Sequence, residues 1–473
     1  MPSETSPPPC AGGSGWEDGS ASTMTAANPL AAELKATLGI ALPLAGAQLS
    51  QVLMGFISAA MMGRLGGEAF AAGGLGTALY FTVVLVFQGL LTAIGPLVAH
   101  ALGAGEEARV GGIVAHGILI AAVLAAIGMA MIGQIDAALT AIGHPPALVA
   151  ATKRYLDAAL WGLPAGLGFA LLRTYLSALS RTWPVMVLLV FCLALDAALT
   201  YGLIFGRFGL PALGIAGSGY AGAVTQWVMF GGLALYAATQ PSLRHHGVLR
   251  ALRHPDWEAV ASIFRVGWPI AGIIAVEIGV FTATALLAGL LGTASLAAHQ
   301  IAIGVGSVTF MVPLAFSHAA TVRVALAMGA RQVAAARRAG EVAFACGVGF
   351  MAVMAFILLV APGSIVALYL DRADPANAAA DAIALRLLFI AALFQVFDGA
   401  QVIAGGALRG LKDTRVPLLV GAIGYWAIGF PAGWLLAFPL GLGAIGLWWG
   451  LALGLAAVAI PLGLRFHRLT ASY

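Results

Sequence analysis

Twelve stretches of this chain are too long and too apolar to serve as anything but membrane spans, and that limits what it can fold into. They run over approximately 38–62, 75–101, 110–134, 156–180, 184–206, 212–238, 260–291, 297–328, 340–370, 384–409, 416–438 and 441–464, separated by Gly, Pro or charge. About 20 apolar residues in a helix cross roughly 30 Å of hydrocarbon, so several stretches must tilt or reach past the bilayer. A soluble surface cannot cover a chain of 473 residues that is 61% hydrophobic and 9% charged, with a mean hydropathy of +0.98. Inside lipid every backbone polar group needs a partner within the protein, which leaves helices or a closed barrel, and barrel strands would alternate apolar and polar residues over about ten positions. Nothing here alternates in that way. The predicted fold class is therefore an all-α polytopic membrane protein of twelve transmembrane helices.

The chain is also duplicated. Residues 43–104 slide onto 269–330 without a gap, placing Pro43 on Pro269, Gly46 on Gly272, Gly63 on Gly289, Gly66 on Gly292, and Gly103-Ala104 on Gly329-Ala330. In the same frame Gln51 faces Glu277 and Ser58 faces Thr284, so the halves share a small-residue scaffold and differ in polar chemistry. Six spans per repeat start both halves on the same side, which implies two six-helix lobes related by a pseudo-two-fold axis along the membrane normal, with a ligand site between them. The expected division is a disordered cytoplasmic tail at 1–35, a first lobe at 36–239, a cytoplasmic linker at 240–258 and a second lobe at 259–473. Placing the N-terminus inside puts 17 of the 23 Lys and Arg on the cytoplasmic face, as the positive-inside rule requires. Both termini are then cytoplasmic and the chain is a multi-pass protein of the bacterial inner membrane.

The Pro-, Ser- and Gly-rich residues 1–29 lack the apolar core of a signal peptide, and Met24 is an alternative start. The basic linker, with Arg244, His245, His246, Arg250, Arg253 and His254, reads as an anchor to anionic lipid and not as a nucleic-acid site. Cys10, Cys192 and Cys346 have neither metal-site nor disulfide spacing. No Walker A run, dinucleotide fingerprint or HExxH is present, so the chain reads as no enzyme, without a cofactor.

Three carboxylates lie at membrane depth: Asp196, Glu277 and Asp398. Each costs about 2.5–3.5 kcal/mol to insert and is a functional candidate for that reason, the alternative being a protonated or hydrogen-bonded structural carboxyl. Glu277 follows the helix-bending Pro269 by two turns, and Asp398 also belongs to the second half. Two carboxyls close together in an apolar cavity repel when both are ionised, so such a pair suits uptake of a proton or a monovalent cation. His100, His116, His299 and His318 also fall in spans and read as packing histidines satisfied by carbonyls.

The segments LAAHQIAIGVGSVTFMVPLAFSHAATVRVALAMGA, GALRGLKDTRVP and FQGLLTAIGPLVAHALGAG resemble the multidrug and toxic compound extrusion (MATE) family, in its NorM-like branch, over about residues 36–465. The resemblance implies a two-lobe antiporter that expels cationic amphipathic organic compounds against an inward flow of protons or sodium. It implies cation coupling at Glu277 and Asp398, the sites of a possible Na+, and an aromatic wall at Phe310. Ser58 stands where the family usually carries an aspartate, while Asp196 stands at a fifth-span position commonly held by Asn, so acidity is expected to have moved from the first span to the fifth. Phe394 stands where sodium-binding relatives often offer a tyrosine oxygen, which favours protons over sodium. A substrate cavity is expected from Gln48, Gln51, Met54, Ser58, Met61, Phe281, Phe310, Met311, Phe394, Phe397 and Asp398, with flexible Met and flat aromatics fitting varied drugs. The expected partners are small cationic drugs or metabolites and membrane lipids, with no nucleic acid, and the protein is expected to be monomeric. Two rival readings are a lipid-linked oligosaccharide flippase of the same superfamily, which would need several Arg or Lys in its cavity, and a non-transporting membrane scaffold; the span interiors read as poor in such cations.

Overall fold

The computed structural model describes residues 29–253 and 256–471. The expected tail up to residue 28, with Met24 and Cys10, lies outside the described residues, as does His254. Twelve helices are long and apolar enough to cross a membrane: α1 Pro29–Gly63, α2 Gly67–Gly103, α3 Glu107–Gly133, α4 Pro146–Ala178, α5 Trp183–Phe205, α6 Ile215–Thr239, α7 Trp257–Leu290, α8 Thr293–Gly329, α9 Val333–Val360, α10 Pro375–Gly410, α11 Arg415–Ala437 and α12 Ala444–Ala471. No strand occurs among the described residues. The architecture is two lobes of six helices each, α1–α6 and α7–α12.

Boundaries differ from the sequence expectation where local chemistry intervenes. Residues 29–35, assigned to the tail, form the first two turns of α1: Pro29 suits the opening position of a helix, and Glu33 is held by Arg323 of α8, its carboxylate accepting from Nε at 2.8 Å and Nη2 at 2.6 Å. The ninth span ends at Val360 and not near 370, because Pro362 cannot continue the α9 ladder and starts a short helix, Pro362–Val366. At 35 residues, α1 is about 50 Å long at 1.5 Å per residue, so it overhangs or tilts in a bilayer. Pro43 and Pro269, the repeat-equivalent prolines, sit inside α1 and α7. Four spans depart from α geometry: α2 turns at Thr92–Ala93, α4 tightens at Leu160–Gly162, α10 opens on a 3-10 turn at Pro375–Asn377, and α11 widens into a π-helix over Ile423–Gly429.

Each lobe meets the other on the side where the linker lies. In these linker-side halves α2 crosses α8 backbone to backbone. A Cβ on Gly103 would collide with the carbonyl oxygen of Leu326, and one on Gly329 with that of His100. The two collisions are the same contact under the 226-residue repeat offset, which is how a two-fold axis pairs residues across an interface. Nearby, a Cβ on Gly267 of α7 would strike the carbonyl of Leu90 in α2. Small residues permit this approach, and the Glu33–Arg323 ion pair locks it, with both partners mostly shielded from solvent. The linker is pinned to the first lobe: His245 Nε2 lies 3.0 Å from a Glu107 carboxylate oxygen, Tyr175 shares a 2.7 Å hydrogen bond with His246 Nδ1, and the Asp256 amide donates to His116 Nε2 at 2.9 Å.

Leucine at Gly103 is expected to pry the linker-side seam apart, so that Glu33→Cys and Arg323→Cys, which cross-link readily in the native background, lose most of their cross-linking yield when Gly103→Leu is added. Burial, and then the charge of His245, lower the affinity of His246 for a proton. A docked His246 that prefers to be neutral holds the linker above the ordinary histidine value of about 6.5 and releases it as pH falls below that. Tryptic cleavage at Arg250 and Arg253 should therefore speed up several-fold between about pH 7.5 and 5.5, and that acceleration should vanish in His246→Phe.

Candidate functional site

Helix geometry places the three deep acids in two separate groups. In the second lobe, α7 carries Glu277, α10 carries Asp398 and the π-helical part of α11 carries Tyr425. Asp398 and Tyr425 are buried at 6% and 2% exposure, and Glu277 is half-buried. The two carboxyls act on one another electrostatically, and both act on the Tyr425 hydroxyl. Arg409 on α10 is the cation whose field reaches Glu277, yet neither carboxyl has a Lys or Arg within ion-pair distance among the described residues. The Tyr425 oxygen is buried without a hydrogen-bond partner. Three oxygen-bearing side chains from three helices therefore lie within electrostatic reach of one another in an apolar surround, chemistry that suits a proton or a small monovalent cation.

Phe394 carries no oxygen, as the sequence reads, while α11 places the Tyr425 hydroxyl within electrostatic reach of the pair. Phe394 itself is packed away at 4% exposure, its ring 6.1 Å from Phe281 and 5.3 Å from Trp448. Trp448 in turn donates to His299 Nδ1 at 3.2 Å. His299 therefore takes an indole and not the expected carbonyl, whereas His116 Nδ1 lies 2.8 Å from the Gly112 carbonyl. Phe310, Met311 and Phe397 are half-buried around the same lobe, and Thr309 of α8 donates to the Gln395 side-chain carbonyl of α10 at 3.1 Å.

In the first lobe Asp196 on α5 is buried at 4% exposure. It accepts from Thr225 of α6 at 3.1 Å and from Ser58 of α1 at 3.5 Å. The carboxyl on α5 thus reaches the side chain at the α1 position where the family's aspartate is expected, which is the geometry that relocation requires. Thr225 carried no sequence signal, since a threonine in an apolar helix is ordinary. Met54 and Met61 pack on the core, and Gln48 and Gln51 accept from Arg173 of α4. Arg173 and Arg409, both close to span ends, are half-buried in the fold. The span interiors are therefore not as poor in cations as the sequence suggested.

Two lobes of six helices, each with isolated polar groups at depth, define a class of polytopic membrane protein built around an inter-lobe cleft. Within that class the chain matches the MatE family model over residues 43–202 and 269–435, one match per lobe. It is 45% identical over 437 residues to a probable multidrug resistance protein NorM of Burkholderia mallei, covering 92% of this chain and 93% of the relative. It is 43% identical to a multidrug resistance protein NorM of Burkholderia vietnamiensis, covering 95% and 97%. Among solved structures, the eukaryotic MATE transporter AtDTX14 superposes with a TM-score of 0.83 at 22% identity, over 94% of this chain and 99% of that one. An outward-facing multidrug resistance MATE family transporter of the MOP superfamily superposes with a TM-score of 0.84 at 20% identity, over 93% and 96%. The chain belongs to the MatE family, in its NorM-like branch.

Asp196→Asn tests the first-lobe acid against the second-lobe pair. Cells expressing Glu277→Gln are expected to lose ethidium extrusion to background, and Asp196→Asn to lower its rate at least about fivefold; wild-type extrusion by Asp196→Asn would refute the relocation.

Proposed function

We propose that this protein is a secondary active multidrug efflux antiporter of the inner membrane, with both termini cytoplasmic, which exports cationic amphipathic organic compounds in exchange for protons. The observation that carries the reading is the Glu277–Asp398 pair, two carboxyls sharing a low-dielectric space with no cationic side chain bonded to either among the described residues. The names of the NorM relatives support multidrug export, and the duplicated two-lobe fold supports alternating access around a site between the lobes. The lobes touch in their linker-side halves, so with a cytoplasmic linker this conformation is outward-facing. Binding a proton or a drug then shifts the balance of lobe arrangements only as far as the two arrangements differ in affinity for it.

In this mechanism an ion from outside occupies the Glu277–Asp398 pair and a drug cation from inside occupies the inter-lobe cleft. Carboxylates at Glu277 and Asp398 attract either one, and their neutralisation by the ion weakens the hold on the drug. Aromatic faces at Phe310 and Phe397 add about 0.5–2 kcal/mol per cation contact. Asp196, bonded to Ser58 and Thr225, supplies the corresponding acid in the first lobe.

Sodium as the coupling ion is the second reading, and the unpartnered hydroxyl of Tyr425 favours it, because sodium is held best by several hard oxygens. Proteoliposomes separate the two. With a pH gradient alone, ethidium transport is expected to proceed; with a sodium gradient alone and the pH gradient collapsed, it is expected to fall to background. If sodium alone drives transport, the proton assignment fails, and Tyr425→Phe should then raise the sodium concentration for half-maximal rate about tenfold. Absence of ion-driven transport under both gradients would refute the antiporter itself.

A further inference from the structure

The linker between the lobes carries a side-chain cluster that the export mechanism does not use. A four-residue helix, Pro241–Arg244, ends at His245, and Gly247 then turns the chain through the left-handed region at φ 64°, a conformation that glycine adopts without strain. The turn leaves His245 and His246 side by side, their ring centres 4.4 Å apart. This pair lies at the start of α3. A Cβ on Gly111 would collide with the carbonyl oxygen of His246, so the linker backbone rests directly on α3 there. Glu107 stands four residues earlier on the same helix face, and its carboxylate oxygen is 3.0 Å from His245 Nε2. One donor atom from each of Glu107, His245 and His246 lies within 4.8 Å of the others, and among the described residues no other trio of His, Cys, Asp or Glu gathers this closely.

Two imidazoles and one carboxylate are a donor set for a divalent transition metal, because imidazole nitrogen suits zinc-like ions while calcium and magnesium need several hard oxygens. A single carboxylate, in a segment that also carries Arg244, Arg250 and Arg253, offers little to those harder ions. In a tetrahedral zinc site, bonds of about 2.0–2.2 Å put neighbouring donors about 3.3 Å apart. The cluster is somewhat wider than that, and its two exposed members can close it. The His245 and Glu107 side chains are 52% and 62% exposed, free to move and open to an ion from solvent. His246 is the fixed member, buried at 7% exposure with Nδ1 2.7 Å from the Tyr175 hydroxyl. An outer hydrogen bond of this kind orients a ligating histidine. We propose that Glu107, His245 and His246 form a site for a zinc-like divalent ion, with water in the fourth position, that fastens the inter-lobe linker to α3. Two ligands belong to the linker and one to the first lobe, so a bound ion favours the docked linker as far as it prefers that arrangement. The site stands whether or not the protein is an antiporter.

The probe is Zn2+ alone, titrated by calorimetry into purified full-length protein from which any affinity tag has been removed. Wild type is expected to bind with a component of one ion per chain. Glu107→Gln and His245→Asn should each weaken that component at least about tenfold, while His467→Gln, which removes the histidine 3.7 Å from Glu341, should leave it unchanged. Both linker-site positions are exposed, so neither change disturbs the core. Absence of zinc binding in wild type, or wild-type affinity in either variant, would overturn the site. Tryptic cleavage at Arg250 and Arg253 reads the fastening. At ten times its Kd, one-site binding can enrich the docked linker by up to about elevenfold, and zinc is expected to slow cleavage at least threefold in wild type and not in Glu107→Gln, with magnesium inert in both. If zinc binds but leaves cleavage unchanged, or slows it equally in Glu107→Gln, the fastening fails.

Discussion

Gly103 and Gly329 bring α2 and α8 together with no side chain between them, and the rest of the architecture depends on that approach. Each glycine faces a backbone carbonyl of the other helix, Leu326 for one and His100 for the other. Hydrocarbon provides no hydrophobic drive for one helix to leave lipid for another, so association must come from close packing and polar contacts. The seam has both: bare backbone at the glycines and the Glu33–Arg323 pair beside them. A contact repeated by the internal duplication pairs residues across the pseudo-two-fold axis. The glycines thus set how closely the two lobes approach here.

Around the second-lobe acids two regular ladders are perturbed: α7, which bears Glu277, carries Pro269, and α11 becomes a π-helix at Tyr425. A π-turn shifts the side chains that follow it around the helix and often marks a functional position. The Tyr425 hydroxyl, within that π-helix, is buried without a hydrogen-bond partner. In the first lobe, regular helices suffice, since Ser58, Asp196 and Thr225 meet across three of them. The lobes share a backbone plan and solve the problem of a buried acid differently.

Much of this was legible in the residues. Twelve spans, the two-lobe division and the reciprocal glycines follow from apolar length and a gapless internal repeat, and the acids stood out because a charge at depth is rare. The resemblance led to the expectation that acidity had moved from the first span to the fifth; the contact between Ser58 and Asp196, 138 residues apart, was not legible from spacing. Tyr425, Thr225 and the inward turn of Arg173 and Arg409 were not legible. A tyrosine among apolar neighbours and arginines near span ends are what any membrane helix shows, because long cationic side chains usually snorkel to the interface. Here they turn inward, which depends on what the neighbouring helix offers.

The sequence by itself determined that the chain must be a duplicated bundle of membrane helices with carboxylates to be accounted for. That follows because the energy of placing residues in hydrocarbon depends on composition and span length alone. Only the tertiary structure decided which polar groups meet: Tyr425 with the Glu277–Asp398 pair, Ser58 with Asp196, and Glu107 with His245 on the linker. Those meetings depend on helix rotation, kinks and crossing distances, which are set by packing against neighbours far away in the chain.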